Sequence, residues 1–160
     1  MKFIKEAVPY IIIILVVVLI RVFIITPVRV DGSSMKNTLK DNDILLLYKL
    51  GSIKRNDIVV LDESYDNEII IKRIIGLPGE TVAIKNGKIY INNKEYDDKF
   101  AYGETSDYDK ITLGDDEYFI LGDNRIVSKD SRYFGPVKEK EIIGKAIFRL
   151  FPFNKIGKLK

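Results

Sequence analysis

The stretch Ile69-Ile70-Ile71-Lys72-Arg73-Ile74-Ile75 places two cations inside an otherwise β-branched run. Such a run predicts a β-strand, and successive side chains of a strand point to opposite faces. Lys72 and Arg73 therefore face opposite sides, and each has isoleucines two residues away on its own side. At least one of the two charges must lie against hydrophobic neighbours.

Of these two cations, only lysine can give up its proton in a protein. Desolvation lowers the pKa of a lysine, by up to ~3–5 units when the side chain is fully buried. A neutral lysine is a competent general base. Lys72 is therefore a candidate base, and the alternative is a strand lysine whose ammonium extends to solvent.

The composition narrows the chemistry because the 160 residues include no histidine and no cysteine. A Ser-His-Asp triad, a Cys-His pair, a disulfide and a thiolate or histidine zinc site are all excluded. Any base that works near neutral pH must then be Lys, Asp, Glu or Tyr. No cofactor and no metal are expected.

The charges argue against a dedicated nucleic-acid binder. Lys and Arg total 26 against 23 Asp and Glu, a net charge of +3, and no block of basic residues stands out. The length suits one domain with a core of its own.

Further strand signals on both sides of Lys72 predict a mainly β, all-β domain of short strands. The turn Asn86-Gly87 predicts a hairpin in which Val82 and Ile84 share a face with Ile89 and Ile91. The polar stretch Lys94–Lys110 is expected to form a surface excursion. The predicted strands are Asp43–Lys49, Asp57–Asp62, Glu68–Ile75, Thr81–Lys85, Lys88–Asn92, Tyr118–Leu121 and Ile142–Phe151.

The apolar run Ala7–Ile25 predicts an uncleaved transmembrane anchor, which Pro27 ends. As a helix it would span about 28 Å at ~1.5 Å per residue, close to the thickness of a bilayer core. No small-residue cleavage site follows the run, which disfavours a cleaved signal peptide. The run also lacks a polar face, which disfavours a buried core helix. We expect an anchor over residues 1–26 and a β-rich domain over 27–160.

Two further stretches carry hydroxyls and charges. Val30-Asp31-Gly32-Ser33-Ser34-Met35-Lys36-Asn37-Thr38-Leu39 follows the anchor and holds two serines after a flexible glycine. The stretch from Gly122 to Gly135 gathers two carboxylates, two arginines and two hydroxyls. Each alone is compatible with a solvated loop. As a framework, Asp130 and Arg132 could pair and hold the second stretch rigid while a serine hydroxyl orients a neighbouring amine.

Together the three stretches resemble the type I signal peptidases, in the small single-span form of Gram-positive bacteria. The resemblance runs from the anchor to Gly144. The motifs that carry it are Gly32-Ser33-Ser34-Met35, then Ile71-Lys72-Arg73-Ile74-Ile75-Gly76-Leu77-Pro78-Gly79-Glu80, and then Gly122-Asp123-Asn124-Arg125-x-x-Ser128-x-Asp130-Ser131-Arg132.

This resemblance implies a serine endopeptidase with a Ser-Lys dyad that removes signal peptides from exported preproteins. Ser34 would be the nucleophile and Lys72 the general base. Ser128 would help to orient the lysine amine. The supporting residues would be Asp130 and Arg132 as an ion pair, with Asp123 and Arg125 in the same loop.

The resemblance also implies that the enzyme cuts after small residues, in the Ala-x-Ala pattern. Its partners would be preprotein signal peptides and the lipid bilayer, with no nucleic acid. It would be a single-pass protein of the cytoplasmic membrane, with its catalytic domain on the extracytoplasmic side. Counting basic residues does not decide this orientation, because they lie on both sides of the span. The substrate pockets would be lined by Val28, Val30, Met35, Leu39, Ile70 and Ile71.

Two departures from the family pattern bear on the nucleophile. Relatives often have proline where this chain has Asn37, which would loosen the turn after Ser34. Some relatives donate a serine hydroxyl to the oxyanion from the position of Gly32. The amide of Ser34 would then need another donor beside it.

Overall fold

The computed structural model describes residues 2–62 and 69–159, and it begins with one long helix. Helix α1 spans Lys2–Phe23, and its apolar window Glu6–Phe23 is long enough to cross a membrane. None of that window is buried against the rest of the chain. An apolar helix without a protein partner fits a transmembrane anchor.

The helix ends two residues before the predicted end of the apolar run, because Ile25 begins strand β1. Two side chains accompany this change of structure. Lys49 Nζ donates to the carbonyl of Val22 at 2.8 Å, and Thr26 Oγ1 donates to the carbonyl of Arg21 at 2.7 Å. They satisfy carbonyls that have no partner at a helix end. Since β1 starts before residue 27, the division into 1–26 and 27–160 stays a prediction.

The remainder is mainly β, as expected, and falls into two sheets. The larger has the order β1-β2-β11-β3-β4-β9-β10, with β12 beside β11, and the smaller has the order β7-β6-β5-β8. The strands are β1 Ile25–Arg29, β2 Ile44–Tyr48, β3 Ile58–Leu61, β4 Ile70–Gly76, β5 Thr81–Lys85, β6 Lys88–Ile91, β7 Lys94–Tyr96, β8 Tyr108–Thr112, β9 Glu117–Leu121, β10 Val137–Lys138, β11 Ile142–Phe151 and β12 Gly157–Lys158. Short helical turns occupy Ser131–Phe134 (α2), Glu139–Glu141 and Phe153–Lys155.

Each predicted strand is present within about two residues of its expected bounds. The predicted start at Glu68 lies outside the described residues. The hairpin is confirmed, because Val82 pairs with Ile91 and Ile84 pairs with Ile89. The prediction that Lys94–Lys110 forms a surface excursion was wrong in part, since β7 and most of β8 lie within this stretch. These strands form the two edges of the smaller sheet, where polar side chains face solvent and weaken the strand signal.

The buried apolar side chains form three cores. The first lies beneath β1, β2 and the loop after β1, and contains Val30, Met35 and Leu39. The second fills the space around the smaller sheet and includes Val82 and Phe119. The third lies on the other face of β3, β4 and β9 and includes Ile74.

Strand β4 carries both of its cations inside the protein. Lys72 is 3% exposed and Arg73 is fully buried. The Arg73 guanidinium forms a two-pronged ion pair with Asp123, at 2.8 and 2.7 Å, and stacks 3.6 Å from the Phe100 ring centroid. It also donates to the carbonyl of Asn56 at 2.8 Å. This pair ties the centre of the larger sheet to the loop after β9.

Asp123→Asn should destabilise the fold strongly, because it leaves the Arg73 guanidinium buried without a counter-charge. Breaking a buried pair in this way costs about 3–5 kcal/mol of the free energy of unfolding. Urea unfolding of the two proteins would measure the loss. The control is Glu95→Gln, which breaks the exposed pair with Lys88 and should leave the midpoint unchanged. An Asp123→Asn midpoint equal to that of the unaltered protein would contradict this account.

Candidate active site

The loop after β1 presents Ser34 at the surface of the first core. Met35 and Leu39 are buried on either side of a tight turn, in which the Leu39 amide donates to the Met35 carbonyl at 2.8 Å. Ser33 is exposed and Ser34 is half-buried. The two apolar anchors hold the backbone, so that Ser34 faces β4 while its neighbour Ser33 faces solvent.

Lys72 reaches this serine from β4. Its Nζ lies 3.0 Å from Ser34 Oγ and donates to the carbonyl of Ile71 at 3.1 Å. Within the described residues, no carboxylate forms an ion pair with this amine. The serine hydroxyl and the lysine amine are therefore within hydrogen-bond distance, and the lysine side chain is largely shielded from solvent.

The surroundings of Lys72 favour the neutral amine. Burial lowers the pKa of Lys72 from 10.5 to about 8, while the nearby negative charge of Asp130 raises it and only partly offsets the burial. A lysine with a pKa near 8 is partly neutral close to physiological pH, so it can accept a proton. The arrangement therefore places a hydroxyl within hydrogen-bond distance of an amine that is partly neutral near physiological pH.

The loop after β9 clamps the serine loop from the other side. The Asn124 amide donates to the Ser34 carbonyl at 2.9 Å, and its side chain donates to the Ser33 carbonyl at 3.1 Å. Gly122 lies under the same contact, where a Cβ would come within 2.7 Å of the Ser34 carbonyl oxygen and even closer to Ser128. The sequence alone indicates no role for Asn124 or Gly122, because contacts made to backbone groups leave no pattern in side-chain chemistry.

Asp130 and Arg132 pair with each other and are almost fully buried. Arg132 contacts both oxygens of Asp130, at 2.8 and 2.9 Å, and donates to the carbonyls of Arg125 and Ser128. Asp130 also accepts from the Gly122 amide at 3.0 Å. These bonds close the loop on itself and fix the carboxylate whose charge acts on Lys72.

Asp123 and Arg125 face different partners from that pair. Asp123 binds Arg73, as described above, and Arg125 forms an ion pair with Asp98. Arg125 Nε also donates to the Gly122 carbonyl at 2.8 Å. Asp123, Arg125, Asp130 and Arg132 are therefore buried and paired, whereas Lys129 of the same loop is exposed.

Ser128 requires a correction to the expected contact with the lysine amine. Its Oγ is buried and forms no hydrogen bond with any side chain or carbonyl that the structure describes, Lys72 included. The hydroxyl instead packs over Gly122, where the loop backbone holds it through a bond from the Ser128 amide to the Asn124 carbonyl. The lysine amine is hydrogen-bonded to Ser34 Oγ and to the Ile71 carbonyl instead.

A cleft of about 940 Å³ opens beside the Ser34–Lys72 pair. Its lining includes Val28, Ile70 and Ile71, three of the six predicted pocket residues. The other three, Val30, Met35 and Leu39, are not among the lining residues, which corrects the prediction. The full lining is Pro27, Val28, Arg29, Asp31, Gly32, Ser33, Ser34, Ile69, Ile70, Ile71, Lys72, Val127, Lys129 and Phe134.

The reason for this correction is packing. Val30, Met35 and Leu39 are at most 3% exposed and belong to the first core, whose outer members Ile71 and Val28 reach the cleft. Apolar residues around a nucleophile can line a pocket or anchor the loop beneath it. Their spacing in the sequence does not distinguish the two.

Gly32 lies two residues before the serine with φ = +83°, a backbone conformation that favours glycine. Its amide donates to Asp41 Oδ1 at 3.1 Å. The residue offers no side-chain donor near Ser34. Among the residues described, the Ser34 amide donates to no backbone carbonyl, so it is available to a developing oxyanion.

Asn37 adopts φ = +89°, which proline cannot reach because its ring fixes φ near −65°. Asn37→Pro would match the more common family sequence, yet it should disrupt the turn that holds Ser34. We expect the catalytic activity to decrease at least tenfold and the melting temperature to fall. Asn37→Gly is the matched control, since glycine tolerates positive φ and should keep the activity. Full activity in the Asn37→Pro protein would show that the turn has another conformation.

Comparison with known proteins identifies the family to which this chain belongs. The sequence profile described as "Signal peptidase, peptidase S26" matches residues 3–151. Signal peptidase I of Streptococcus pneumoniae (serotype 4) is 36% identical, over 98% of this chain and 97% of its own. Signal peptidase I of Bacillus amyloliquefaciens is 40% identical, over 94% of this chain and 89% of its own.

A solved structure is similar as well. The crystal structure of a signal peptidase I from Enterococcus faecalis V583 matches with a TM-score of 0.54 and 32% sequence identity. The match covers 60% of this chain and 97% of the solved one. It is similar in fold as well as in sequence.

Proposed function

The chain belongs to the S26 family of signal peptidases, and we propose that it cleaves preproteins with Ser34 as nucleophile and Lys72 as general base. The observation that supports this most is the 3.0 Å separation of Lys72 Nζ and Ser34 Oγ, together with the burial of the lysine. Within a chain that has no histidine, this is the pairing that can activate a hydroxyl near neutral pH.

In the proposed reaction, neutral Lys72 accepts the proton of Ser34 Oγ as the oxygen attacks the carbonyl before the scissile bond. The oxyanion that forms accepts a hydrogen bond from the Ser34 amide. The Lys72 ammonium then protonates the departing amine of the mature protein, which leaves the signal peptide as an ester on Ser34. Lys72 next takes a proton from a water molecule as that water attacks the ester. The ammonium then gives the proton to Ser34 Oγ, which restores the hydroxyl as the signal peptide leaves as a carboxylic acid.

The loop after β9 supports this chemistry in the proposal. Asp130 holds a fixed negative charge near Lys72, and Arg132 keeps that carboxylate in place. Asp123 and Arg125 secure the same loop through Arg73 and Asp98. These residues position the dyad and do not react.

The substrate would bind as an extended strand in the cleft. Over Ile70–Lys72, β4 pairs with β3 on one side, whereas β9 joins the other side only from Arg73 onward. This leaves backbone groups open to an added strand, which would run between β4 and the segment Val28–Asp31. Val28 and Ile71 would meet the small side chains, alanines in the Ala-x-Ala pattern, at the first and third positions before the cut.

The membrane helix supports the proposed location. The enzyme is anchored through α1, and Ser34 follows the end of that helix by eleven residues. A site so close to the bilayer suits substrates that are themselves inserted in it. We place the catalytic domain on the extracytoplasmic side of the plasma membrane, where the cut sites of exported preproteins emerge.

Ser34→Ala and Lys72→Ala should each lower kcat for a preprotein with an Ala-x-Ala site by about 10⁴-fold or more, because the dyad acts as a unit. Cleavage would be followed by gel electrophoresis with the full-length enzyme in membranes. Ser33→Ala should keep activity within about tenfold, which separates the two neighbouring serines. Ser52→Ala, an exposed serine away from the cleft, is the control. Normal cleavage by the Lys72→Ala protein would rule out the proposed base.

The pH dependence of kcat/KM should report the titration of Lys72. Since burial lowers the pKa of this amine to about 8, the base is protonated and inactive below that value. Activity should therefore rise about tenfold per pH unit up to pH 8 and level off above it. Measurement from pH 6 to pH 10 with an uncharged peptide substrate would show this limb. A flat profile across that range would argue against a lysine base.

A further inference from the structure

The cleft has two walls that belong to different cores. Val28 and Ile71 pack against the first core, whereas Ile70 and Phe134 pack against the third. Ile70 and Ile71 are neighbours on β4 and point to opposite faces of the strand. The cleft therefore offers one apolar surface on each face of an inserted strand.

An extended substrate would meet both surfaces in alternation, because successive side chains of a strand point to opposite sides. If the first and third residues before the cut face Val28 and Ile71, the second residue faces Ile70 and Phe134. Val127 also lines the cleft and is 56% exposed. The side chain at the middle position of the Ala-x-Ala pattern would thus lie beside a separate set of apolar residues.

We propose that this wall, formed by Ile70, Phe134 and Val127, is a subsite that selects a large apolar side chain at the second residue before the cut. The inference rests on the proposed function and assigns a preference to the one position that the Ala-x-Ala pattern leaves free. Phe134 is the specificity-determining residue, since it contributes the largest apolar surface of the three. Lys129 also lines the cleft, and its charge disfavours a basic side chain there.

The position of Phe134 depends on the loop after β9. It ends the short helical turn α2, in which the Asp130 side chain accepts from the Arg132 amide and the Phe134 amide donates to the Asp130 carbonyl. The same Asp130 acts on the charge of Lys72. One buried carboxylate thus acts on the charge of the base and also helps to position the wall of the second subsite.

The test uses the full-length enzyme and a set of peptide substrates that differ only in the middle residue, Gly, Leu or Phe. We expect kcat/KM to be about ten times higher for Leu than for Gly, the ratio expected when one large aliphatic side chain is partly buried. Phe134→Ala should bring this ratio close to one. Tyr133→Ala, which alters the exposed neighbouring residue, should keep the ratio.

The outcomes separate this inference from the function on which it rests. Equal kcat/KM for the Gly and Leu peptides in the unaltered enzyme would overturn the subsite, whatever the variants do. An unchanged ratio in Phe134→Ala would do the same for the role of Phe134. If Phe134→Ala does not fold, Phe134→Leu replaces it, and its ratio should fall between that of the unaltered enzyme and one. No cleavage of any Ala-x-Ala peptide would instead overturn the proposed specificity, and the subsite with it.

Discussion

The structure depends on the burial of two adjacent cations in one strand. Placing charge in a protein interior is costly unless a partner compensates it. Arg73 remains charged and is compensated by Asp123, by a backbone carbonyl and by the Phe100 ring. Lys72 has no such ion pair among the described residues, and its pKa falls instead. The cost of burying charge is offset by the ion pair of Arg73 with Asp123 on one face of β4. On the other face the pKa of Lys72 is lowered.

This division of roles explains why the loop after β9 is so rich in buried charge. Each buried charged side chain in it has a partner, and together they hold backbone groups against the serine loop. Gly122 permits that contact because no side chain would fit there. The reacting groups themselves need little support beyond their placement. Positioning is thus the work of backbone contacts and ion pairs around the dyad.

The strands and the proximity of Ser34 to Lys72 were accessible from the sequence, for physical reasons that differ. Runs of β-branched residues at Ile142–Phe151 and Thr81–Lys85 report local strand preference directly. The absence of histidine directed attention to Lys72, and the family resemblance connected it to Ser34. Edge strands such as β7 were missed because their polar faces resemble loops.

The finer assignments depended on packing, which spacing alone does not report. Met35 and Leu39 proved to be core residues beneath the cleft, and the hydroxyl of Ser128 proved to lie over Gly122. Phe134 entered the site only because the fold brings α2 beside β4. The positive φ of Asn37 suits asparagine, which adopts this region more readily than most residues, but the turn that it forms beside Ser34 follows from the fold.

The central claim is that burial lowers the pKa of Lys72 to about 8, so that part of the amine is neutral near physiological pH, and this titration can be observed directly. The measurement is an NMR titration of the full-length protein with ¹³C-labelled lysine side chains, in which the Lys72→Met variant identifies the Lys72 signal. The account predicts that this signal titrates with a pKa of about 8, well below the ordinary value of 10.5. A pKa near the ordinary 10.5 would contradict it, because the amine would then be charged when Ser34 must lose its proton.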